Sequence, residues 1–247
     1  MKKRMSNQKI KFVFFGSDAV AKSALVAMAR FGLVPSEKAD VAVLVSYGKI
    51  LTKEVIDSFP LGILNIHPSL LPKLRGPSPI KSAILEDLEV TGVSIMKLDE
   101  QVDHGPVLAQ EIIALSPQVA SEAQLREALF EKGAELLARV LPEYLGGKLV
   151  PKEQDHTQAT YTHKFKPEDA FLPYLEWASK AGEFERKVRA LSEEPGTYSI
   201  IPTIRGKKRV KILKAHVESN KFVPDTVQPE AKRPMDWQSF LRGNPLM

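Results

Sequence analysis

Two polar side chains lie two positions apart at the end of a short apolar stretch. Asn65 and His67 fall on a predicted strand, so their side chains point to the same face of a sheet. Open α/β sheets place their sites at such strand ends, where an amide and an imidazole could act together on one carbonyl. A histidine among prolines and leucines is by itself more often structural. Asp103, after the next strand, favours catalysis, and we expect the three side chains to converge because both motifs end strands of one parallel sheet.

Several kinds of chemistry are excluded by what the sequence lacks. The chain has no cysteine, which excludes disulfides, thiolate metal ligands and thiol nucleophiles. Its five histidines are scattered, so we expect no metal site. Gly16 follows the first strand without the further glycines of a dinucleotide-binding motif. No apolar run approaches the roughly 18 residues of a membrane span, and we expect a cytoplasmic monomer without membrane contact.

Basic residues concentrate at the two ends of the 247-residue chain. Residues 1–11 carry five basic side chains and no acidic one, and residues 202–247 carry ten basic against four acidic. Because the formal charge of the whole chain is +5, the part between them is net negative. This asymmetry favours the docking of a polyanion at one end. Charge alone leaves a solvated basic tail as the alternative.

The hydrophobic pattern predicts an α/β domain over residues 1–150. The run 39–46 is apolar and largely β-branched, which is typical of a strand buried on both faces of a parallel sheet. The alternation of strands and helices predicts a mostly parallel, Rossmann-like sheet. We predict strands at 9–15, 39–46, 63–66 and 92–98, and helices at 19–31, 53–58, 79–86 and 121–145.

A second domain is predicted over residues 173–247, after a polar linker at 151–172. Its pattern predicts a helix at 173–191 and then strands at 197–204, 209–217 and 221–230. Short strands joined by turns are typical of a small OB-like β domain. The predicted turn at 205–208 is cationic and suits phosphates rather than bases, with an exposed, solvated hairpin tip as the alternative.

Two long motifs resemble those of one enzyme family. Residues 65–80, NIHPSLLPKLRGPSPI, resemble the signature N-x-H-x-S-L-L-P-x-x-R-G-x-x-P-I of the formyltransferases that use 10-formyltetrahydrofolate. Residues 91–96, TGVSIM, followed by Asp103-x-Gly105, resemble the second motif of that family. Two such motifs in the right order and separation are difficult to obtain by chance. The resemblance covers nearly the whole chain, more loosely from Trp177 onward.

The resemblance implies transfer of a formyl group from 10-formyltetrahydrofolate to methionyl initiator tRNA, in translation initiation and without a metal. It implies that Asn65 stabilises the oxyanion of a tetrahedral intermediate, that His67 donates a second hydrogen bond and moves a proton, and that Asp103 orients the imidazole.

The resemblance also implies binding residues. The folate would contact Tyr47, Gly48, Lys49, Ile50 and Leu51 in one segment and Ser69, Leu70, Leu71 and Pro72 in another. For the second segment, a rigid loop and nothing more is the alternative. The C-terminal domain would contact tRNA through Arg205, Lys207, Lys208, Arg209 and Lys211.

One departure from the family is large. Between the first helix and the strand at 39–46 the family carries two further strands, a helix and a basic loop that reaches the tRNA acceptor stem, whereas this chain has only residues 32–38. Two alternatives therefore stay open: a formyltransferase for a small-molecule amine such as a nucleotide-sugar, and a non-catalytic paralogue that binds tRNA or folate. The basic C-terminal region argues against the first, and retention of Asn65, His67 and Asp103 argues against the second.

Overall fold

The computed structural model describes residues 9–49, 51–115 and 121–247, which divide into two compact units. The described parts of the first unit are 9–49, 51–79, 89–115 and 123–162, and those of the second are 80–88, 121–122 and 163–247. Residues 151–162 of the predicted linker group with the first unit and residues 163–172 with the second. The domain boundaries themselves stay a prediction. None of the helices in these ranges is long and apolar enough to cross a membrane.

Within the described residues, six strands form the sheet of the first unit, in the order β2-β1-β3-β4-β5-β6. They are β1 (Ile10–Gly16), β2 (Leu33–Pro35), β3 (Ala42–Val45), β4 (Ile63–His67), β5 (Val90–Lys97) and β6 (Val107–Ala114). Strands β1 to β4 are parallel to one another, β5 is antiparallel to β4, and β6 is antiparallel to β5. The predicted Rossmann-like, mostly parallel sheet is confirmed. The sequence pattern missed β2 and β6.

Four helices accompany this part of the described chain: α1 (Ala19–Ala29), α2 (Lys53–Asp57), α3 (Pro79–Leu85) and α4 (Glu122–Leu145). After its first residue α3 belongs to the second unit. Asp18 is the N-cap of α1, because its carboxylate accepts a hydrogen bond from the backbone N–H of Ala21 at 2.9 Å. A Cβ at Gly133 of α4 would lie 2.3 Å from Ile66 and 2.9 Å from Val93. The glycine thus allows α4 to pack directly against β4 and β5.

An open antiparallel sheet of four strands forms the second unit within the described residues, in the order β10-β9-β8-β7. Its strands are β7 (Tyr198–Thr203), β8 (Gly206–Glu218), β9 (Lys221–Pro229) and β10 (Met235–Asp236), and its further helices are α5 (Ala181–Leu191) and α6 (Trp237–Gly243). Its hydrophobic core contains five buried aromatic side chains: Trp177, Phe184, Phe222, Trp237 and Phe240. This small β domain confirms the predicted class. The sequence pattern missed α6 and β10.

The predicted helix over 173–191 is wrong in its first half. A 3-10 turn occupies Tyr174–Glu176, and α5 begins only at Ala181. Lys180 has φ −123° and ψ 32°, outside the helical region, which interrupts the helical path. The interruption accompanies burial of Trp177, whose side chain packs against Phe222 and Trp237 in the core. Tertiary packing of one large aromatic side chain therefore overrides the helical pattern.

We predict that Gly133→Ala destabilises the protein by about 1–3 kcal/mol, because the added methyl group overpacks the contact of α4 with Ile66 and Val93. Gly182→Ala in α5 is the matched control, since its Cβ would meet only the Arg186 guanidinium, at 3.6 Å. Helix propensity should make that control stabilising by up to about 1 kcal/mol. Chemical denaturation of both variants measures the difference, and equal stabilisation by the two substitutions would contradict the close approach of α4.

Candidate active site

Strand β4 carries two polar side chains into the interior of the first unit. All five of its residues are buried, and Asn65 and His67 are only 7% and 4% exposed. Their spacing of two places both side chains on one face of the sheet. Buried polar groups require hydrogen-bond partners, and the partners of this pair come from the loop after β4 and from the connection between β5 and β6.

Both ring nitrogens of His67 have partners in the structure. Nε2 lies 3.1 Å from the backbone carbonyl oxygen of Leu74. Because a carbonyl can only accept, Nε2 must carry the proton of this hydrogen bond. Nδ1 lies 3.5 Å from Oδ1 of Asp103. Only Nδ1 is therefore left to exchange a proton with a substrate.

The Asp103 carboxylate joins the two residues of β4 to the following loop. Its Oδ1 lies 3.5 Å from Nδ2 of Asn65 and 3.5 Å from Nδ1 of His67, and its Oδ2 accepts a hydrogen bond from the backbone N–H of Gly76 at 2.8 Å. The two contacts of Oδ1 are long. Such contacts often tighten only when a reacting group is bound. The predicted convergence of the three side chains thus agrees with their positions, while their catalytic roles stay a prediction.

The predicted parallel arrangement of the two strands that carry these motifs is wrong. Strand β5 is antiparallel to β4, so the end of β5 pairs with the beginning of β4, Lys97 opposite Leu64. The connection to β6 turns back sharply and brings Asp103 to Asn65 and His67. Gly105 makes this turn possible, since a Cβ there would lie 2.1 Å from the carbonyl oxygen of Lys97.

The segment Ser69–Pro72 is held by hydrogen bonds of its own. The Ser94 hydroxyl donates to the carbonyl of Ser69 at 2.6 Å and accepts from the N–H of Leu71 at 3.1 Å. Ser69 and Leu71 are buried, whereas Leu70 and Pro72 are partly exposed. If this segment contacts folate, Leu70 and Pro72 therefore supply the surface. The folate contact itself stays a prediction.

The second predicted folate segment follows β3, the parallel neighbour of β4. Leu44 of β3 pairs with Asn65, so the chain that leaves β3 emerges beside the candidate site. Tyr47 packs on Phe15 with ring centroids 5.6 Å apart. Gly48 and Lys49 are exposed, Leu51 is partly exposed, and Ile50 lies outside the described residues.

A polar cluster supports the turn before this segment. The hydroxyl of Ser46 donates to Asp18 at 2.7 Å, and the guanidinium of Arg126 contacts both Asp18 and Ser46. Arg126 belongs to α4, so the same helix that packs on β4 also ties together the ends of β1 and β3.

Comparison with known proteins assigns the family. A family model described as formyl transferase matches residues 2–141, and one described as formyl transferase, C-terminal domain, matches residues 164–225. The methionyl-tRNA formyltransferase of Chloroflexus aurantiacus is 41% identical over 229 residues, which cover 83% of this chain and 71% of that protein. The chain belongs to the formyl transferase family.

Two solved structures share the fold of this formyl transferase. Methionyl-tRNA formyltransferase from Clostridium thermocellum has a TM-score of 0.63 and 18% identity, covering 89% of this chain and 98% of that one. HypX from Aquifex aeolicus in complex with tetrahydrofolic acid has a TM-score of 0.75 and 17% identity, covering 96% of this chain. This chain covers 47% of the HypX chain, about half of its length.

Four of the five predicted tRNA-contacting residues of the formyl transferase lie on β8, and only Arg205 lies in a turn. Ile204 and Arg205 alone join β7 to β8, because Thr203 already pairs with Gly206. The predicted turn at 205–208 is therefore wrong, because the β7–β8 ladder continues to the hairpin end.

The strand separates these basic side chains into two faces. Lys207, Arg209 and Lys211 are exposed and alternate along one face, whereas Lys208 lies on the opposite face. The Arg209 guanidinium lies over the ring of Tyr198 at 4.1 Å. Exposed cations beside an aromatic ring are suited to a phosphate backbone. We call Lys207, Arg209 and Lys211 the basic row.

Residues 154–162 of the predicted linker contribute to the site, which the sequence analysis missed. Gln154 is buried and donates to the backbone carbonyl of Asp103 at 3.0 Å. It also accepts from the buried guanidinium of Arg75 at 2.7 Å. A polar stretch containing glutamine and histidine is compositionally the same as a solvated linker, so no local signal in the sequence identifies it. Among the described residues, no group of three or more potential ligands could hold a metal ion.

We predict that His67 of the free protein carries its proton on Nε2, because that nitrogen donates to Leu74. His216 is the control with the opposite arrangement, since its Nδ1 lies 2.7 Å from the carboxylate of Asp225. Nitrogen-15 NMR of the imidazole rings, at a pH where both are neutral, should report the Nε2–H tautomer for His67 and the Nδ1–H tautomer for His216. The Nδ1–H tautomer at His67 would contradict the hydrogen bond to Leu74.

Proposed function

We propose that this formyl transferase transfers the formyl group of 10-formyltetrahydrofolate to the amino group of methionyl initiator tRNA. The convergence of Asn65, His67 and Asp103 carries the proposal, since an amide donor, an imidazole and a carboxylate meet within 3.5 Å contacts. The tRNA formyltransferase relative at 41% identity supports the acceptor, and the tetrahydrofolic acid bound in the HypX structure supports a folate donor.

The reaction forms one C–N bond and breaks another. The amine nitrogen of the methionyl group attacks the formyl carbon, and a tetrahedral intermediate with a negatively charged oxygen results. When the bond from that carbon to N10 of the folate breaks, the electron pair stays on N10, which takes up a proton. The proton lost by the attacking amine balances the one gained by N10. No covalent bond to the protein is required.

Each of the three side chains has one task in this scheme. The Asn65 amide N–H donates to the developing oxyanion. Nδ1 of His67 takes the proton from the attacking amine and returns it to N10, since Nε2 is bound to Leu74. Asp103 lies beside Nδ1 and favours the imidazolium that exists between the two transfers. Asn65 as oxyanion donor and His67 as proton carrier correspond to the roles implied by the resemblance, with the reacting atom of His67 now specified. The second hydrogen bond that the resemblance implies from His67 to the oxyanion is not part of this scheme, because the Nε2 proton is bound to Leu74.

The basic row supports a nucleic-acid acceptor. Three cations on one exposed face of β8, one of them stacked on Tyr198, suit a phosphate backbone better than a small amine. Arg205, in the adjoining turn, extends the row at its end. Lys208 faces away and is not part of the proposed surface.

We predict that His67→Ala lowers kcat for formyl transfer to charged initiator tRNA by about 10³-fold, because the proton shuttle is lost. Asn65→Ala should lower it by about 10²–10³-fold, the usual effect of removing one oxyanion donor. The dissociation constant for folate should stay within about twofold, because the proposed folate contacts lie on the segments after β3 and β4. His216→Ala is the control and should retain activity. Equal losses of folate binding and turnover in His67→Ala would assign that residue to ligand positioning instead.

We predict that replacing the whole basic row by glutamine flattens the salt dependence of tRNA binding. Each lost phosphate contact should change the log–log slope by about 0.7–0.9, so three contacts change it by roughly 2–3. Lys208→Gln is the matched control on the opposite face and should leave the slope unchanged. The measurement is tRNA affinity at several salt concentrations. An unchanged slope in the triple variant would remove the main reason for a nucleic-acid acceptor and would favour a small-molecule amine such as a nucleotide-sugar.

A further inference from the structure

One segment of the first unit lies along the loop that follows β4. We call residues 154–162 the strap. The backbone N–H of Arg75 donates to the carbonyl of Thr160 at 2.9 Å, and the N–H of Thr162 donates to the carbonyl of Arg75 at 2.7 Å. The Thr160 hydroxyl accepts from the N–H of Leu74 at 2.8 Å. The strap thus pairs with the stretch that contains Leu74, whose carbonyl holds His67.

The side chain of Arg75 contacts the strap near both of its ends. It is 1% exposed, and its guanidinium donates to Oε1 of Gln154 at 2.7 and 3.2 Å. It also donates to the hydroxyl of Tyr161 at 3.3 Å and contacts Nδ1 of His156 at 2.9 Å. All three partners belong to the strap. A buried guanidinium has no acceptor to offer, so it determines which end of the Gln154 amide faces it.

The remaining end of the Gln154 amide faces the loop that carries Asp103. Because Oε1 accepts from Arg75, Nε2 must point the other way, where it donates to the carbonyls of Asp103 at 3.0 Å and Gly105 at 2.6 Å. Only an amide can accept on one side and donate two hydrogen bonds on the other. A carboxylate of the same length would face both carbonyls with oxygen.

The backbone of Asp103 needs such support. Its φ is +48°, in the left-handed region that is unfavourable for residues other than glycine. Gln154 holds the carbonyl of this residue, while Gly76 holds Oδ2 of its carboxylate. With both ends fixed, Oδ1 is aimed at Asn65 and His67.

We propose that Gln154 is a positioning residue for formyl transfer, oriented by Arg75, and that it acts by holding Asp103 in its left-handed conformation. This inference rests on the proposed function for the expected loss of formyl transfer rate. The expected change in the conformation of Asp103 does not depend on that function. Gln154 acts through the backbone, because its amide donates to the carbonyls of Asp103 and Gly105 and not to the Asp103 carboxylate. Its loss removes the donor from the part-buried carbonyl of Asp103 and the buried carbonyl of Gly105. The Asp103 peptide can then rotate, which moves the carboxylate from Nδ1 of His67.

The test compares Gln154→Glu with Gln158→Glu. Both substitutions lie in the strap and make the same change of charge, but Gln158 is exposed. Gln154→Glu keeps an oxygen for Arg75 and removes the donor to Asp103 and Gly105. We expect kcat to fall roughly 10–100-fold, as misplacement of a reacting group does, while KM for tRNA and for folate stays within about twofold. Gln158→Glu should match the wild-type protein.

Hydrogen exchange of the amides in residues 98–106 gives a readout that does not need activity. It should be faster in Gln154→Glu than in the wild-type protein and unchanged in Gln158→Glu. If Gln154→Glu does not fold, Gln154→Met, which is neutral and of similar length, replaces it with the same expected results.

Three results would overturn the positioning role: an unchanged kcat, a KM that rises as much as kcat falls, or an equal loss in Gln158→Glu. If the wild-type protein does not formylate charged tRNA, the proposed function fails. The exchange comparison then still decides whether Gln154 holds the Asp103 loop, because unchanged exchange would contradict it.

Discussion

Burial of the Arg75 guanidinium is the constraint around which the site is organised. A charged group removed from water costs several kcal/mol unless its N–H groups are hydrogen-bonded. Among the described residues its side-chain partners are neutral acceptors on the strap, Gln154, His156 and Tyr161. The strap must therefore lie where these acceptors meet the guanidinium. In that position Thr160 holds Leu74 and Gln154 holds Asp103. The hydrogen-bonding requirement of the Arg75 guanidinium therefore fixes the two residues that contact the imidazole of His67.

The part of the site that follows from local geometry could be predicted from the sequence. The spacing of Asn65 and His67 on a strand is enough to place them on one face, and the apolar run of β3 is enough to predict its burial. Gln154 could not be found in this way, because its importance comes from contacts with residues about 50 and 79 positions away. The sequence also could not show that β5 is antiparallel to β4, since a strand has the same alternation of side chains in either direction.

Short elements and edges were the weakest part of the sequence interpretation. Strand β2 has three residues and ends at Pro35, which is too short for a periodic signal. The alternation of Lys207, Lys208 and Arg209 on β8 depends on where the hairpin turns, and a shift of one residue exchanges the two faces. The fold class needed none of these details, because it depends on the long apolar strands and on the helices between them.

The short segment between α1 and β3 affects the sheet far from the candidate site. In the described sheet, β2 is the edge strand, and β1 and β3 separate it from β4. Leu33 of β2 and Phe12 of β1 are fully buried, so the shortened edge still covers apolar surface. Proline at the end of an edge strand also limits pairing with other chains. The short connection between α1 and β3 is thus compatible with the observed arrangement of Asn65, His67 and Asp103.

The strained backbone of the site explains how three ordinary side chains acquire fixed roles. Leu74 and Asp103 both have positive φ, +56° and +48°, and each is held by a bond from the strap. Non-glycine residues keep such conformations only where the surroundings determine them. The carbonyl of Leu74 then commits Nε2 of His67 to donation, and the carboxylate of Asp103 lies at Nδ1. In the proposed reaction the amine proton can therefore travel to N10 through one atom only, and the strap determines which atom that is.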